Sequence, residues 1–132
     1  MDASARWASV NSASLARWRE AVKASQAVQT LGNLLQTSTQ TVRIALPNGA
    51  VVECPIDKSY IGYLLKAEEL WARSYAQWIA AESRSPELLR QVEQERERPG
   101  DGIYYPTHWE ETDFVPIQME IETLFRALRW KQ

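Results

Sequence analysis

The sequence predicts a mainly helical α+β fold, a bundle of three to four helices with one β-hairpin inserted between the first and second long helices. Two observations carry this. Residues 41–55 alternate apolar and polar side chains on either side of a Pro-Asn-Gly turn, the signature of paired strands. The tracts before and after them place apolar residues three and four apart, as helices with one covered face do. A length of 132 residues suits a single domain, 1–132, that buries roughly two-thirds of its unfolded surface. Within it, 1–40 form an N-terminal helix and linker, 41–55 the hairpin, 57–98 a long helix and a restart helix, and 99–132 a loop and C-terminal helix.

The first helix is expected from residue 4 to about 31. Trp7, Val10, Ser14, Trp18, Ala21, Ser25 and Val28 form its stripe, with Leu15 and Val22 beside it. Trp7 and Trp18 lie about three turns apart and share a face. Its small residues allow close packing against a face bearing Trp71 and Trp78. Gly32-Asn33 offers a stop, or Leu34 and Leu35 carry the helix one turn further. Gln36 to Gln40 reads as a polar linker.

In the hairpin, Val42, Ile44 and Leu46 alternate with Thr41, Arg43 and Ala45. Pro47 pre-sets one turn dihedral and Asn48-Gly49 tolerates the positive φ of a tight turn. The returning strand puts Val52 and Cys54 on one face and Val51 and Glu53 on the other, and Pro55, without a donor, closes it. Asp57 or Ser59 caps the next helix.

From Tyr60 to Ser83 the spacing predicts one long helix. Its seam is Tyr60, Leu64, Ala67, Trp71, Ser74, Trp78 and Ala81, and large residues alternate with small ones. Ile61, Leu65, Ala72, Tyr75 and Ile79 widen the apolar surface. Lys66, Glu69, Arg73, Gln77 and Arg84 make the polar remainder, with Glu69 and Arg73 at the favourable i,i+4 spacing. Ser85-Pro86-Glu87 restarts a helix, serine capping and glutamate near the positive dipole end. Only Leu88, Leu89 and Val92 give it apolar content, so it reads as solvated up to the break at Pro99-Gly100-Asp101-Gly102. Ile103 to Asp113 is an aromatic and acidic loop. Thr112 or Asp113 caps the last helix, with Pro116 in its first turn. Ile117, Ile121 and Leu124 form its stripe with Leu128, Phe125 lies beside them, and Arg126, Arg129 and Lys131 suit its negative end.

Composition narrows the function classes. A net charge of −2 creates no field that recruits nucleic acid or anionic membrane. The stripe of Arg6, Arg17, Arg19 and Lys23 falls short of a nucleic-acid patch. The single cysteine, Cys54, fits a reducing compartment. No apolar run approaches the ~20 residues of a membrane span, and no apolar signal core opens the chain. A soluble intracellular protein, or a virion component assembled in the cytoplasm, is expected. No phosphate loop, nucleophile elbow or zinc-helix motif is present. His108, Glu110, Glu111 and Asp113 are in no known ligand spacing and read as an acidic loop with Trp109 tucked beneath it. Cys54 reads as a packed strand residue rather than a nucleophile. The chain is therefore expected not to be an enzyme, and no catalytic, cofactor-binding or metal residue is assigned.

The unusual feature is six tryptophans, a residue enriched both in cores and in interaction hot spots. Both readings stay open. The candidate interface residues are Trp7, Trp18, Leu64, Trp71, Trp78, Tyr104, Tyr105 and Trp109. They point to a homo-oligomer or to contact with neighbouring structural proteins, with no small-molecule substrate. The alternative is a small monomeric adaptor or inhibitor that meets a basic surface of a host protein through the loop 103–113.

From about Ser25 to Ala81 the order of elements resembles the small head–tail joining proteins of tailed phages, the gpW-like type. The likeness rests on Leu31 to Leu35 ending a helix, Val42-Arg43-Ile44, Asn48-Gly49, Val51-Val52-Glu53 and the capped helix from Asp57. It covers under half the chain, which differs in its longer first helix and in the residues after Ser83. The resemblance implies a ring-forming virion component, a head–tail connector or tail part, whose extra segments reach adjacent subunits.

Overall fold

The turn at Leu46-Pro47-Asn48-Gly49 behaves as its chemistry demands. Gly49 adopts a φ of +87°, which only glycine takes without strain, and its N–H donates to the Leu46 carbonyl over 2.9 Å. Asn48 Oδ1 accepts the Ala50 N–H. Strands β1 (Thr41–Ala45) and β2 (Val51–Pro55) pair antiparallel, Arg43 opposite Glu53 and Ile44 opposite Val52. This is a computed structural model, and it describes residues 3–96 and 103–128, with side chains from residue 13 onward. The expected break at 99–102 and the basic tail at 129–132 lie outside the described residues.

Six helices accompany the hairpin among the described residues, where three to four were expected. They are α1 (Ala3–Ala24), α2 (Gln26–Gln36), α3 (Lys58–Leu64), α4 (Ala67–Ser83), α5 (Pro86–Arg96) and α6 (Glu111–Ala127). The difference is two breaks inside tracts that read as continuous. Ser25 is extended (φ −68°, ψ 151°) and caps α2 through its own hydroxyl. Lys66 is extended between α3 and α4. A break exposes backbone donors and acceptors that must find partners. At Ser25 the Asp113 carboxylate accepts the N–H groups of Gln26 (2.8 Å) and Ala27 (3.0 Å). At Lys66 the Arg73 guanidinium donates to the Leu64 carbonyl over 2.7 Å.

The break at Lys66 resets the helix phase, so the seam shifts. Leu64, Ser74 and Trp78 are buried, but Tyr60 and Ala67 are exposed, while Ile61, Leu70, Gln77 and Ala80 take the interior positions. Leu34 and Leu35 do extend α2, half-buried. α4 ends on Arg84 in the left-handed region (φ 52°). The restart of α5 follows its local signals: Ser85 Oγ accepts the Leu88 N–H and bonds to Glu87. Nothing in α5 is buried. α6 begins at Glu111, which moves Pro116 from the first turn to the second and frees Asp113 to reach α2.

Two apolar clusters result. The larger joins Trp18 and Val22 of α1, Ala27, Leu70 and Trp78 of α4, Trp109, and the α6 residues Phe114, Ile117, Ile121, Leu124 and Phe125. Rings interlock edge to face, Trp18 with Trp71 at 5.2 Å and Trp78 with Phe125 at 4.8 Å, the geometry that the ring quadrupole favours. The smaller gathers Leu31, Ile61 and Leu64, with Leu34, Leu35, Ile56, Leu65 and Tyr105 against it. No described helix is long and apolar enough to cross a membrane.

Candidate interaction surface

The eight aromatic and leucine candidates separate once their side chains are placed. Trp18, Leu64, Trp78 and Trp109 are buried within the chain's own clusters, so in one copy they present no ring to a neighbour. Each buried indole also has its N–H partner: Trp18 donates to Ser74 Oγ, Trp78 to Glu122 and Trp109 to Ser25 Oγ. Trp71, Tyr104 and Tyr105 are half-buried. The side chain of Trp7 lies outside the described residues. Among the described residues, Trp18, Trp78 and Trp109 therefore build a core in which each indole donor is satisfied, as burial requires.

The loop 103–110 is a strap lashed across that core, not a free acidic loop. Gln77, which the helical pattern placed on the polar side of α4, is buried and grips the strap as a second strand would. Its amide N–H donates to the Trp109 carbonyl over 2.8 Å and its amide oxygen accepts the Trp109 N–H over 3.1 Å. One turn away, Arg73 donates Nε to the Thr107 carbonyl at 2.7 Å and stands 3.9 Å from Glu69. Arg96 of α5 reaches the Trp109 carbonyl and Glu110. The Tyr105 hydroxyl accepts the Asp57 N–H that opens α3. Trp109 and Pro106 are buried. Gln77, Arg73 and Arg96, which look solvent-facing in the sequence, are thus spent on holding backbone.

His108 stands between two clefts. One, of about 480 Å³, opens beside Gln26, Tyr104 and Asp113; the other, of about 290 Å³, lies between α4 and α5. Burial pushes its pKa below the usual 6.5; Glu95 opposes this, and Arg73 and Arg96 add to it. Thr107 shares a hydrogen bond with its Nδ1. Among the described residues no group of three or more His, Cys, Asp or Glu side chains is placed to hold a metal ion.

The lowered pKa makes stability depend on pH. Above about 6.5 the imidazole is neutral whether the chain is folded or not, and the fold keeps its full stability. Below it the unfolded chain binds a proton that the folded chain refuses, so stability falls as pH drops, until the folded group also titrates. Urea midpoints at pH 7.5 and 5.5 are expected to fall more for the parent chain than for His108→Gln. Equal falls would remove His108 from the account.

What lies outside both clusters is the hairpin. Val42, Ile44, Val52 and Cys54 share one face and are only half-buried, while Thr41, Arg43, Ala45, Val51, Glu53 and Pro55 on the other face are exposed. None of the four apolar-face residues joins either core cluster; only Ile56, just past β2, does. A lone two-stranded hairpin is marginal in water unless its apolar face is covered. Nearby, Tyr60 and Tyr63 of α3 expose stacked rings at 6.5 Å, and on α6 Met119 is 62% exposed. No family model, curated protein or solved structure matches this chain.

Proposed function

We propose that this chain is a non-enzymatic assembly protein that completes its packing against other protein, as a homo-oligomer or beside neighbouring structural proteins. One observation carries the reading: the hairpin's apolar face, Val42, Ile44, Val52 and Cys54, belongs to neither core cluster. A helical core that closes without this face, yet keeps it half-buried on a two-stranded element, suits a scaffold presenting a docking element. The non-enzymatic part is supported by the use of the polar side chains: Arg73, Gln77, Arg96 and Asp113 hold backbone. The tailed-phage setting, as head–tail connector or tail component, rests on the resemblance of residues 25–81 alone. The monomeric adaptor acting through 103–113 has less support, because Trp109 and Pro106 are buried and the Tyr105 hydroxyl is engaged.

Native mass measured in dilute solution and again at higher concentration tests the reading. A discrete species heavier than one chain, growing with concentration, is expected. A compact monomer throughout would overturn the homo-oligomeric reading.

A further inference from the structure

The two edges of the hairpin differ in chemistry. Leu46 N–H donates to the Ala50 carbonyl and Ile56 N–H to the Gln40 carbonyl, which fixes these as hydrogen-bonded pairs of the antiparallel ladder. Bonded and non-bonded pairs alternate. Ile44–Val52 and Val42–Cys54 therefore turn their backbone groups inward, and Arg43–Glu53 and its neighbours two residues away turn theirs outward. Pro55 falls on an outward position, where its missing N–H costs the hairpin nothing. The outer edge of β1, with Thr41, Arg43 and Ala45, carries neither proline nor bulge. An edge in that state is a template for another strand.

Arg43 and Glu53 face each other across the ladder. Among the described residues neither side chain makes an ion pair or a hydrogen bond. Opposite charges in directly opposed positions are thus left open, one on each edge of the element.

We propose that the hairpin docks on the hairpin of a second copy, β1 of one subunit against β2 of the next, in the register that the chain already uses internally. This pairing rests on the assembly reading above and names its interface. It sets Arg43 against Glu53 of the partner subunit, so acid and base alternate along the joined sheet. It lays Val51 of the partner subunit, an apolar residue 57% exposed in one copy, beside Ala45. It also merges the half-covered faces of Val42 and Ile44 with the corresponding face of the neighbour into one apolar surface. Each outward pair supplies two hydrogen bonds, except that Thr41 meets a proline. Two-fold pairing is disfavoured, because full overlap of β1 with its own copy opposes Arg43 to Arg43, and of β2 with its own copy Glu53 to Glu53. The contact is head-to-tail, which either closes into a ring or grows.

The test is native mass by sedimentation across a concentration series, on the full chain, for the parent, Arg43→Glu, Glu53→Arg and an equimolar mixture of the two variants. Both positions are exposed, and circular dichroism with thermal melting verifies that each variant folds. Each reversal sets like charges together and is expected to raise the concentration for half-association about tenfold. In the mixture, each β1 edge of one variant meets an oppositely charged β2 edge of the other, so association is expected to recover well above that of either variant alone. It stays short of the parent value because each variant keeps like charges across its own ladder. Reversals that weaken association with no recovery on mixing overturn the pairing. A parent that associates while both reversals associate equally well overturns the hairpin pairing and leaves the assembly reading standing. A parent that stays monomeric overturns the hairpin pairing together with the homo-oligomeric reading.

Discussion

Replacing Trp109 with alanine is expected to destabilise the chain by about 3–5 kcal/mol, the range for emptying a buried tryptophan site. For a domain whose net stability is about 5–15 kcal/mol, that is a third or more of the whole at the lower end of the range. The residue is 1% exposed and ties several separate elements together. Its ring stacks on Phe114 of α6 at 5.7 Å, its indole N–H donates to Ser25 at the α1–α2 break, and its backbone is gripped by Gln77 of α4. Alanine keeps the backbone grip but empties the space that the indole fills in the larger cluster. Trp109→Phe separates the contributions. It retains most of the ring contact and loses the donor to Ser25, whose hydroxyl still donates to the Val22 carbonyl; about 1–2 kcal/mol is expected. Urea denaturation of both variants provides the measurement. An alanine variant within about 1 kcal/mol of the parent would show that the strap is not the keystone of the core.

How much of this fold is readable in the sequence depends on the distance between a signal and its partner. The hairpin is legible because a Pro-Asn-Gly turn and its flanking alternation lie within fifteen consecutive residues, 41–55. The buried stripe of α6, Ile117, Ile121 and Leu124, is legible because nothing interrupts that helix after Pro116. The helix breaks at Ser25 and Lys66 are not, since both flanks keep helical spacing. The Asp113 carboxylate that joins Ser25 in holding one broken end comes from the far part of the chain, and Arg73, only seven residues past Lys66, reads in the sequence as a partner for Glu69. Gln77 shows the same limit. A glutamine on a helix reads as solvent-facing unless one knows that a strap some thirty residues downstream will bring it a backbone N–H and C=O to pair with. The tryptophans mark the important positions without saying which way they face. That is decided by whether an indole N–H finds a buried acceptor, and the serines Ser25 and Ser74 that provide two of them look like ordinary small residues in a helical stripe.

Asp113→Ala is expected to cost about 2 kcal/mol, the sum of lost capping and lost charge at a helix start. The carboxylate accepts from two consecutive backbone donors of α2, and Ser25 Oγ accepts a third from Val28, so three of the four orphan N–H groups at that terminus are held by side chains. Asp113 is contributed by α6, so its loss also removes one of the polar links between the first and last parts of the chain, leaving Trp109 to Ser25 and Arg17 to Glu120. The Ala27 N–H is partly buried, which limits how far water can replace the lost acceptor. Asparagine tests the charge separately. It keeps one acceptor but turns an N–H₂ toward one of the donors, so Asp113→Asn is expected to recover less than half of the loss. Amide hydrogen exchange gives the local readout: Gln26 and Ala27 should lose protection in both variants by more than the change in global stability accounts for. If exchange there rose only in step with global unfolding, the α1–α2 break would be held by Ser25 and core packing alone, and the long-range cap would be incidental to it.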